Sequence, residues 1–383
     1  MMAQQLESAI STASDPRFPM RARQAQLVCD AFRQRPDVTL VSLDLFGKTD
    51  KPIVAFYALD AAAFGVERDW SKMPDKVKER VKEMVLNIYY YKSAEFGKQR
   101  HVRGKIAHLL SILATREWPQ RWSNLHMNMI NIGLKSPMSA IITLMTFRTL
   151  SEDTHETCFF SKLPSKRKTE IVRGLQTIKS EIIQFSNQLL SIGLNNNNNT
   201  STPNEEMFRE ALLCVKSFAS WVETNVLVTN PHDVVSTLCM LIRHESLEIE
   251  TRTFAANCLN VVTEKKCDNE DVAKRTVLLK ISSQVLESVG AALERSNVKQ
   301  HVTFRRECFR ILVSLCSRHF HTLFVSRRTP VVLCMNLIKA MMACVASASV
   351  RTAAMAVRFF FCKVSQNKQT HTHTHTHTDT LLA

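Results

Sequence analysis

The sequence predicts an all-α protein built as a stack of antiparallel helix pairs. Three observations support this. Glycine is rare (8 of 383 residues) and proline modest (11), while leucine, alanine, lysine, arginine and methionine are plentiful, a balance that favours helix over strand. Apolar residues recur at spacings of three and four along most of the chain. The helical stretches, about fourteen to sixteen of them, are joined mostly by short turns and fall into pairs at roughly 40–47 residues.

The chain turns on the stretch Lys105 to Trp122. Val102, Ile106, Leu109, Leu110 and Leu113 form one apolar stripe, so its first part is a helix. The residue before a proline is pushed out of the helical region, so Pro119 ends this helix at Trp118. Proline also suits the first turn of a helix, so a second arm is expected from Pro119 to about Leu134. Trp118 and Trp122 flank the corner. For such large aromatics core packing outweighs the alternative, an exposed ring stacking a base.

Taken in order, Gln4–Ala13, Met20–Arg33, Pro52–Val66 and Asp75–Lys92 read as helices. Pro36–Lys51 reads as an irregular connector, because Leu40 to Leu45 alternates without a strand partner. Ser136–Thr149 is helical again. Lys166–Leu194 has the clearest periodicity, with Ile171, Leu175, Ile178, Ile182, Phe185, Leu189 and Ile192 in line and Val172, Ile183 and Leu190 widening the stripe. Residues 195–203 are a polar low-complexity loop. Helices resume at Asn204–Thr224, His232–Arg243, Leu247–Thr263, Asp271–Glu294, Gln300–His319, Val331–Ala348 and Arg351–Val364. The Thr-His alternation of Thr370–Thr378 is what an ACACAC repeat encodes, so 364–383 is expected to be a disordered read-through tail.

A pair of this kind cannot bury its apolar face alone, and stacking on neighbours supplies the core. The architecture expected is a HEAT-repeat superhelical solenoid, a right-handed stack of helix pairs in a truncated array. The net charge of +15 attracts polyanions, although cations spread along a chain are more often solvated helix faces. The 11 cysteines sit singly in apolar runs, as reduced buried thiols do, with no CxxC pair. The N-terminus has no apolar signal-peptide core. The most apolar window, Val331–Val350, carries Asn336 and Lys339 and reads as a buried helix rather than a membrane span.

No phosphate-binding loop, dinucleotide fingerprint, zinc-protease or hydrolase motif is present, so no catalytic residue, metal ligand or cofactor is expected and the chain is not read as an enzyme. Cys158 and Cys267 lack a nearby histidine, and Glu152, Asp153 and Glu156 read as a solvated acidic loop. The basic segments say more. Arg100 and Arg103 precede the central stripe, and Lys166, Arg167 and Lys168 open the long helix. Together on one surface they would track phosphates.

Arg116-Glu117-Trp118-Pro119-x-x-Trp122, preceded by His101-Val and Ile106, resembles a signature near the N-terminus of the exportin branch of the importin-β (karyopherin) family. Val66-Glu-Arg-Asp-Trp70, Leu150-Ser-Glu-Asp153, Leu163-Pro-x-x-Arg167 and Ser217-x-x-x-Trp221 extend the resemblance to roughly residue 345. Within the branch the chain looks most like the receptors for double-stranded RNA hairpins. The resemblance implies a nuclear export receptor that binds Ran-GTP and cargo cooperatively. The cargo would be structured or double-stranded RNA, such as pre-microRNA or tRNA. It also implies contact with phenylalanine-glycine nucleoporins, a monomer without membrane insertion, and shuttling between nucleus and cytoplasm. A protein-cargo karyopherin and a HEAT scaffold without a transport role are the alternatives. It further implies Ran-binding repeats over 1–134 and exportin-1-like repeats over 135–363. The helices Met20–Arg33, Asp75–Lys92 and Pro119–Leu134 are expected to face Ran or cargo, with Arg23, Lys78, Lys82, Asn128 and Asn131 exposed on them. The family's chains are several times longer and tend to be acidic.

Losing a buried tryptophan costs roughly 3–5 kcal/mol, so Trp118→Ala is expected to destabilise the chain by that amount in chemical denaturation.

Overall fold

A computed structural model describes residues 2–14, 17, 19–92, 99–155, 164–195, 205–228, 233–265, 272–296, 301–325, 329–346, 353, 354 and 357. The expected loop beyond Asn195, the tail, Cys158, Cys267, Glu156 and most of Arg351–Val364 lie outside these residues. Among the described residues the chain is helical and without strands. It divides into two compact units, Met1–Ile182 and Ile183–Ala383.

In the first unit α1 (Met2–Ala13) pairs with α2 (Pro19–Arg33), and α3 (Val38–Lys48) with α4 (Pro52–Asp69). α5 (Asp75–Lys92), α6 (Arg100–Glu117), α7 (Leu125–Gly133) and α8 (Pro137–His155) follow. Two rows result. α4 packs along α6 and α6 along α8, with α2 against α4, while α3 packs on α5 and the Tyr89 hydroxyl of α5 donates to the Met129 carbonyl of α7 (3.3 Å). The small residues of α4 explain its tight fit. A Cβ on Gly65 would stand 2.4 Å from Thr39 Oγ1 and 2.6 Å from Val38 Cγ1 of α3.

α3 corrects the reading of Pro36–Lys51 as irregular. Val38, Ser42, Leu45 and Phe46 are buried together with Thr39 and Leu43, so two adjacent helical stripes are covered at once. That double burial is what made the local pattern look like alternation.

The corner at Trp118 is built partly as expected. α6 ends at Glu117, and Trp118 is extended, at φ −86° and ψ 144°. Pro119 does not open the second arm, however. Residues 119–124 form turns, with the Arg121 N–H donating to the Glu117 carbonyl (2.8 Å), and α7 begins only at Leu125. A proline tolerates a first helical turn but does not compel one. Trp118 and Trp122 are both buried, at 3% and 7% exposed.

α9 (Ser165–Asn195) follows the predicted stripe, buried from Ile171 through Leu189 except that Ile192 is 42% exposed. Its first half closes over the corner at Gly174, where an added Cβ would lie 2.5 Å and 2.7 Å from ring carbons of Trp118. Only a residue without a side chain lets the helix approach that ring.

The second unit repeats the two-row plan. α10 (Glu205–Ala219), α13 (Ile249–Thr263) and α15 (Val302–Arg318) pack in one row. α12 (Val234–Arg243), α14 (Val272–Arg295) and α16 (Val331–Ala346) pack in the other, and the short α11 (Thr224–Leu227) leans on α14. The Asp233 side chain caps α12 by accepting from the Ser236 N–H (2.9 Å). Cys214, Cys239, Cys258, Cys308 and Cys316 are buried free thiols, and burial pushes Cys239, Cys258 and Cys308 up to about 12.

α16 is not the buried helix expected of Val331–Val350. Leu337 and Met341 are covered, but Val331, Val332, Met335 and Met342 are 75%, 71%, 50% and 58% exposed. No described helix is long and apolar enough to cross a membrane.

His319 follows α15 and is buried, its Nε2–H donating to the Thr263 carbonyl at the end of α13 (3.2 Å). Burial holds the imidazole below its ordinary value of 6.5, with the Arg318 charge acting in the same direction and the Thr263 bond opposing. The unfolded chain therefore binds this proton at a higher pH than the folded one. The stability involved is complete above 6.5 and declines as pH falls below it. Urea titrations at about pH 7.5 and about pH 5.5 are expected to show that decline, and His319→Gln, which keeps a donor for the carbonyl, to reduce it.

Candidate interaction surface

The residues expected to face partners separate into three groups. Arg23 on α2, Asn131 on α7, Arg100 at the start of α6 and Lys166 on α9 are exposed. Lys78, Asn128 and Lys168 are half-buried, and Lys78 pairs with Asp75 (3.2 Å). Lys82, Arg103 and Arg167 point elsewhere. Arg23 also belongs to the row of α2, α4 and α6, whereas Lys78, Lys82, Asn128 and Asn131 belong to the row of α3, α5 and α7. The structure does not gather the five on one row.

Lys82 is 4% exposed, which corrects the expectation that it stands in solvent. Its ammonium donates to the Arg121 carbonyl (3.3 Å), lies 3.6 Å from Glu117 and 5.7 Å from the centroid of Trp122, and reaches Glu79 (2.6 Å). Glu117, 2% exposed, also accepts the Trp70 indole N–H (2.8 Å) and meets Arg121 (3.3 Å). The Arg-Glu-Trp-Pro signature therefore carries a buried carboxylate that ties the end of α4, α5 and the corner together. Breaking one partner of such a group is costly.

Arg167 does not present its guanidinium to solvent either. It donates to the carbonyls of Thr115 (2.9 Å), Ala114 (3.4 Å) and Trp118, and to Gln120 Oε1 (2.5 Å). All three carbonyls lie at the C-terminal end of α6, where a helix runs short of backbone donors, although that of Ala114 also accepts the Trp118 N–H (2.9 Å). Arg103, at 2% exposed, is likewise interior. Two of the five expected phosphate contacts are thus structural.

The sequence reading passed over a cation–aromatic cluster where α2, α4 and α6 meet. Asp60 bridges Arg33 and Lys105 at about a quarter to a third side-chain exposure. Lys105 lies 5.0 Å from the Phe56 centroid and Arg33 5.2 Å from that of Tyr57. His101 stacks 5.7 Å from Phe56. The Tyr57 hydroxyl donates to the Cys29 carbonyl (2.6 Å), and burial makes this phenol less acidic than an ordinary tyrosine. Burial, then the Lys105 charge, holds His108 below the ordinary imidazole value. The arrangement fixes two cations over aromatic faces beside the exposed Arg100. Asp60 engages both cations, so the cluster ties α2, α4 and α6 together. The available signal was Asp60 itself, a lone acid in an alanine-rich run. No three described His, Cys, Asp or Glu residues converge to hold a metal.

Removing Arg167 tests its assignment. Arg167→Ala is expected to cost about 1–3 kcal/mol in urea denaturation, since several carbonyls lose their donor. Lys166→Ala is expected to stay within about 0.5 kcal/mol.

A family model described as exportin 1-like protein matches residues 99–259, which begins at the N-cap of α6 and covers the corner, α9 and most of α13. The chain is 21% identical over 330 residues to exportin-5 of Mus musculus, covering 82% of this chain and 27% of that protein. It is 22% identical over 255 residues to exportin-5 of Dictyostelium discoideum, covering 63% and 22%. The chain thus spans about a quarter of the length of these curated relatives. By these matches the chain is similar to exportins, through a family model over 99–259 and two distant relatives along much of its length.

Proposed function

We propose that the chain is the N-terminal part of a nuclear export receptor that binds Ran-GTP and cargo rather than catalysing a reaction. The exportin 1-like match over 99–259 carries this reading, because it includes the buried corner on which the first unit closes. In this reading 1–134 meets Ran and 135–363 continues the repeats toward cargo. Of the candidate contacts, Arg23, Asn131, Arg100 and Lys166 are the exposed ones and so the first to test. Phenylalanine-glycine nucleoporins and shuttling between nucleus and cytoplasm belong to the same proposal.

For cargo, the net charge of +15 and the similarity to exportin-5 favour hairpin or double-stranded RNA. One observation favours a protein cargo instead. Arg103 and Arg167 face inward, so fewer cations are available to phosphates than the sequence suggests.

The test is binding of the purified chain to Ran loaded with GTP and, in parallel, with GDP. A clear preference for the GTP form is expected, and equal binding to both would remove the receptor reading. RNA cargo predicts hairpin binding that weakens steeply with salt, as counterion release requires. Salt-independent or absent RNA binding with intact Ran binding would leave the protein-cargo alternative.

A further inference from the structure

α14 and α16 belong to one row, yet a groove of about 1290 Å³ runs between them, floored by Phe309 and Leu312 of α15. Each wall is one face of a helix. On α14 the lining residues Thr276, Leu279, Ser283, Leu286, Gly290 and Leu293 step by three and four. On α16 Val332, Asn336, Lys339 and Ala343 step in the same way. Gly290 gives the groove its room, since a Cβ built there would meet nothing within 4 Å, and the α16 wall is short at Ala340 and Ala343.

Size and shape say what fits. A pocket for a small ligand holds about 300–1,000 Å³ and encloses most of its occupant. This groove is larger, mostly apolar and open to solvent. The α14 wall from Thr276 to Leu293 is about 26 Å long at 1.5 Å per residue. Ridges at helical spacing on both walls suit a helix laid lengthwise between them.

The charges say which kind of helix. Lys280 is committed to Asp233 (2.7 Å), Glu287 to Arg243 (2.9 Å) and Arg305 to the Leu293 carbonyl (2.6 Å). Among the described residues, exposed Glu294 on the α14 wall and exposed Lys339 on the α16 wall have no ion-pair partner. One wall therefore offers an acid and the other a base. The exposed apolar helix of a second copy, α16, has Lys339 as its sole charge and cannot supply the acid that Lys339 calls for.

We propose that this groove takes an amphipathic helix of a partner protein. Its apolar line would seat over Gly290, with a basic residue on the edge toward Glu294 and an acidic residue on the edge toward Lys339. The inference rests on neither the Ran nor the RNA reading.

Fluorescence anisotropy on the full chain tests this with three labelled helical peptides of about 18 residues, the length of the α14 wall. All three share one leucine line. The first carries lysine on one edge of the line and glutamate on the other, the second lysine on both edges and the third glutamate on both. The mixed peptide satisfies both walls in either direction, and it is expected to bind about threefold or more tightly than the others. Gly290→Trp fills the groove and is expected to weaken the mixed peptide about tenfold or more, with the urea midpoint unchanged or raised because a helix-interior glycine is removed. Glu294→Lys leaves the groove open and is expected to move the preference to the all-glutamate peptide. Tightest binding of the all-glutamate peptide by the unaltered chain is what the net charge of +15 alone would give, and would overturn the proposal. Equal affinities, no binding, or a folded Gly290→Trp chain that binds as before would overturn it too. A sedimentation coefficient that rises with protein concentration in the unaltered chain but not in Gly290→Trp would overturn it in favour of a second copy.

Discussion

The fold rests on cationic and imidazole donors that close the C-terminal ends of neighbouring helices. A helix leaves its last carbonyls unpaired, and their partial negative charge accumulates at that end. In the first unit Arg68 donates to the carbonyls of Arg33 and Arg35 at the end of α2, and Arg167 does the same for α6. In the second, Arg252 reaches the Ile242 carbonyl of α12 (3.0 Å) and Lys265 the Ala219 carbonyl of α10 (2.7 Å). Arg305 holds Leu293 and Ser296 at the end of α14, and His319 holds Thr263 of α13. Each donor comes from a different helix or its flank, so each bond also fixes how two elements sit against one another. The charged ends supply the register.

This changes what the positive charge means. The chain carries 50 Lys and Arg against 35 Asp and Glu, a balance that read as a polyanion-binding surface. Arg68, Arg167, Arg252 and Arg305 are engaged by carbonyls, and Arg33 and Lys105 by Asp60. These side chains keep their charge but cannot bond a partner directly, and that role falls to exposed ones such as Arg100 and Lys166.

The helices were legible where one apolar line repeats without competition. α5 and α9 lie within a residue or two of their expected bounds because their buried positions are set by local spacing. α3 was not legible, since two covered stripes erase the contrast between faces. The corner was half legible. Proline dictates where α6 stops, but where α7 starts depends on seating Trp122 and engaging Glu117, which local sequence does not encode. The same holds for the side chains. Nothing in Ser-Lys-Arg-Lys distinguishes exposed Lys166 from Arg167, whose direction is fixed by the end of a helix some fifty residues earlier. Which basic residues remain for a partner is a long-range property.

Gly174 gives the tryptophan corner a third member. The ring of Trp118 occupies the space where any other residue at 174 would place its Cβ, and Arg167 on the same helix closes the carbonyls behind that ring. A diagnostic pattern for this corner therefore extends beyond the Arg-Glu-Trp-Pro box. It pairs the box with an arginine and, two helical turns later, a glycine on a helix far along the chain. A chain with the two tryptophans but a bulky residue in place of that glycine would have to hold α9 farther away and build its first unit differently.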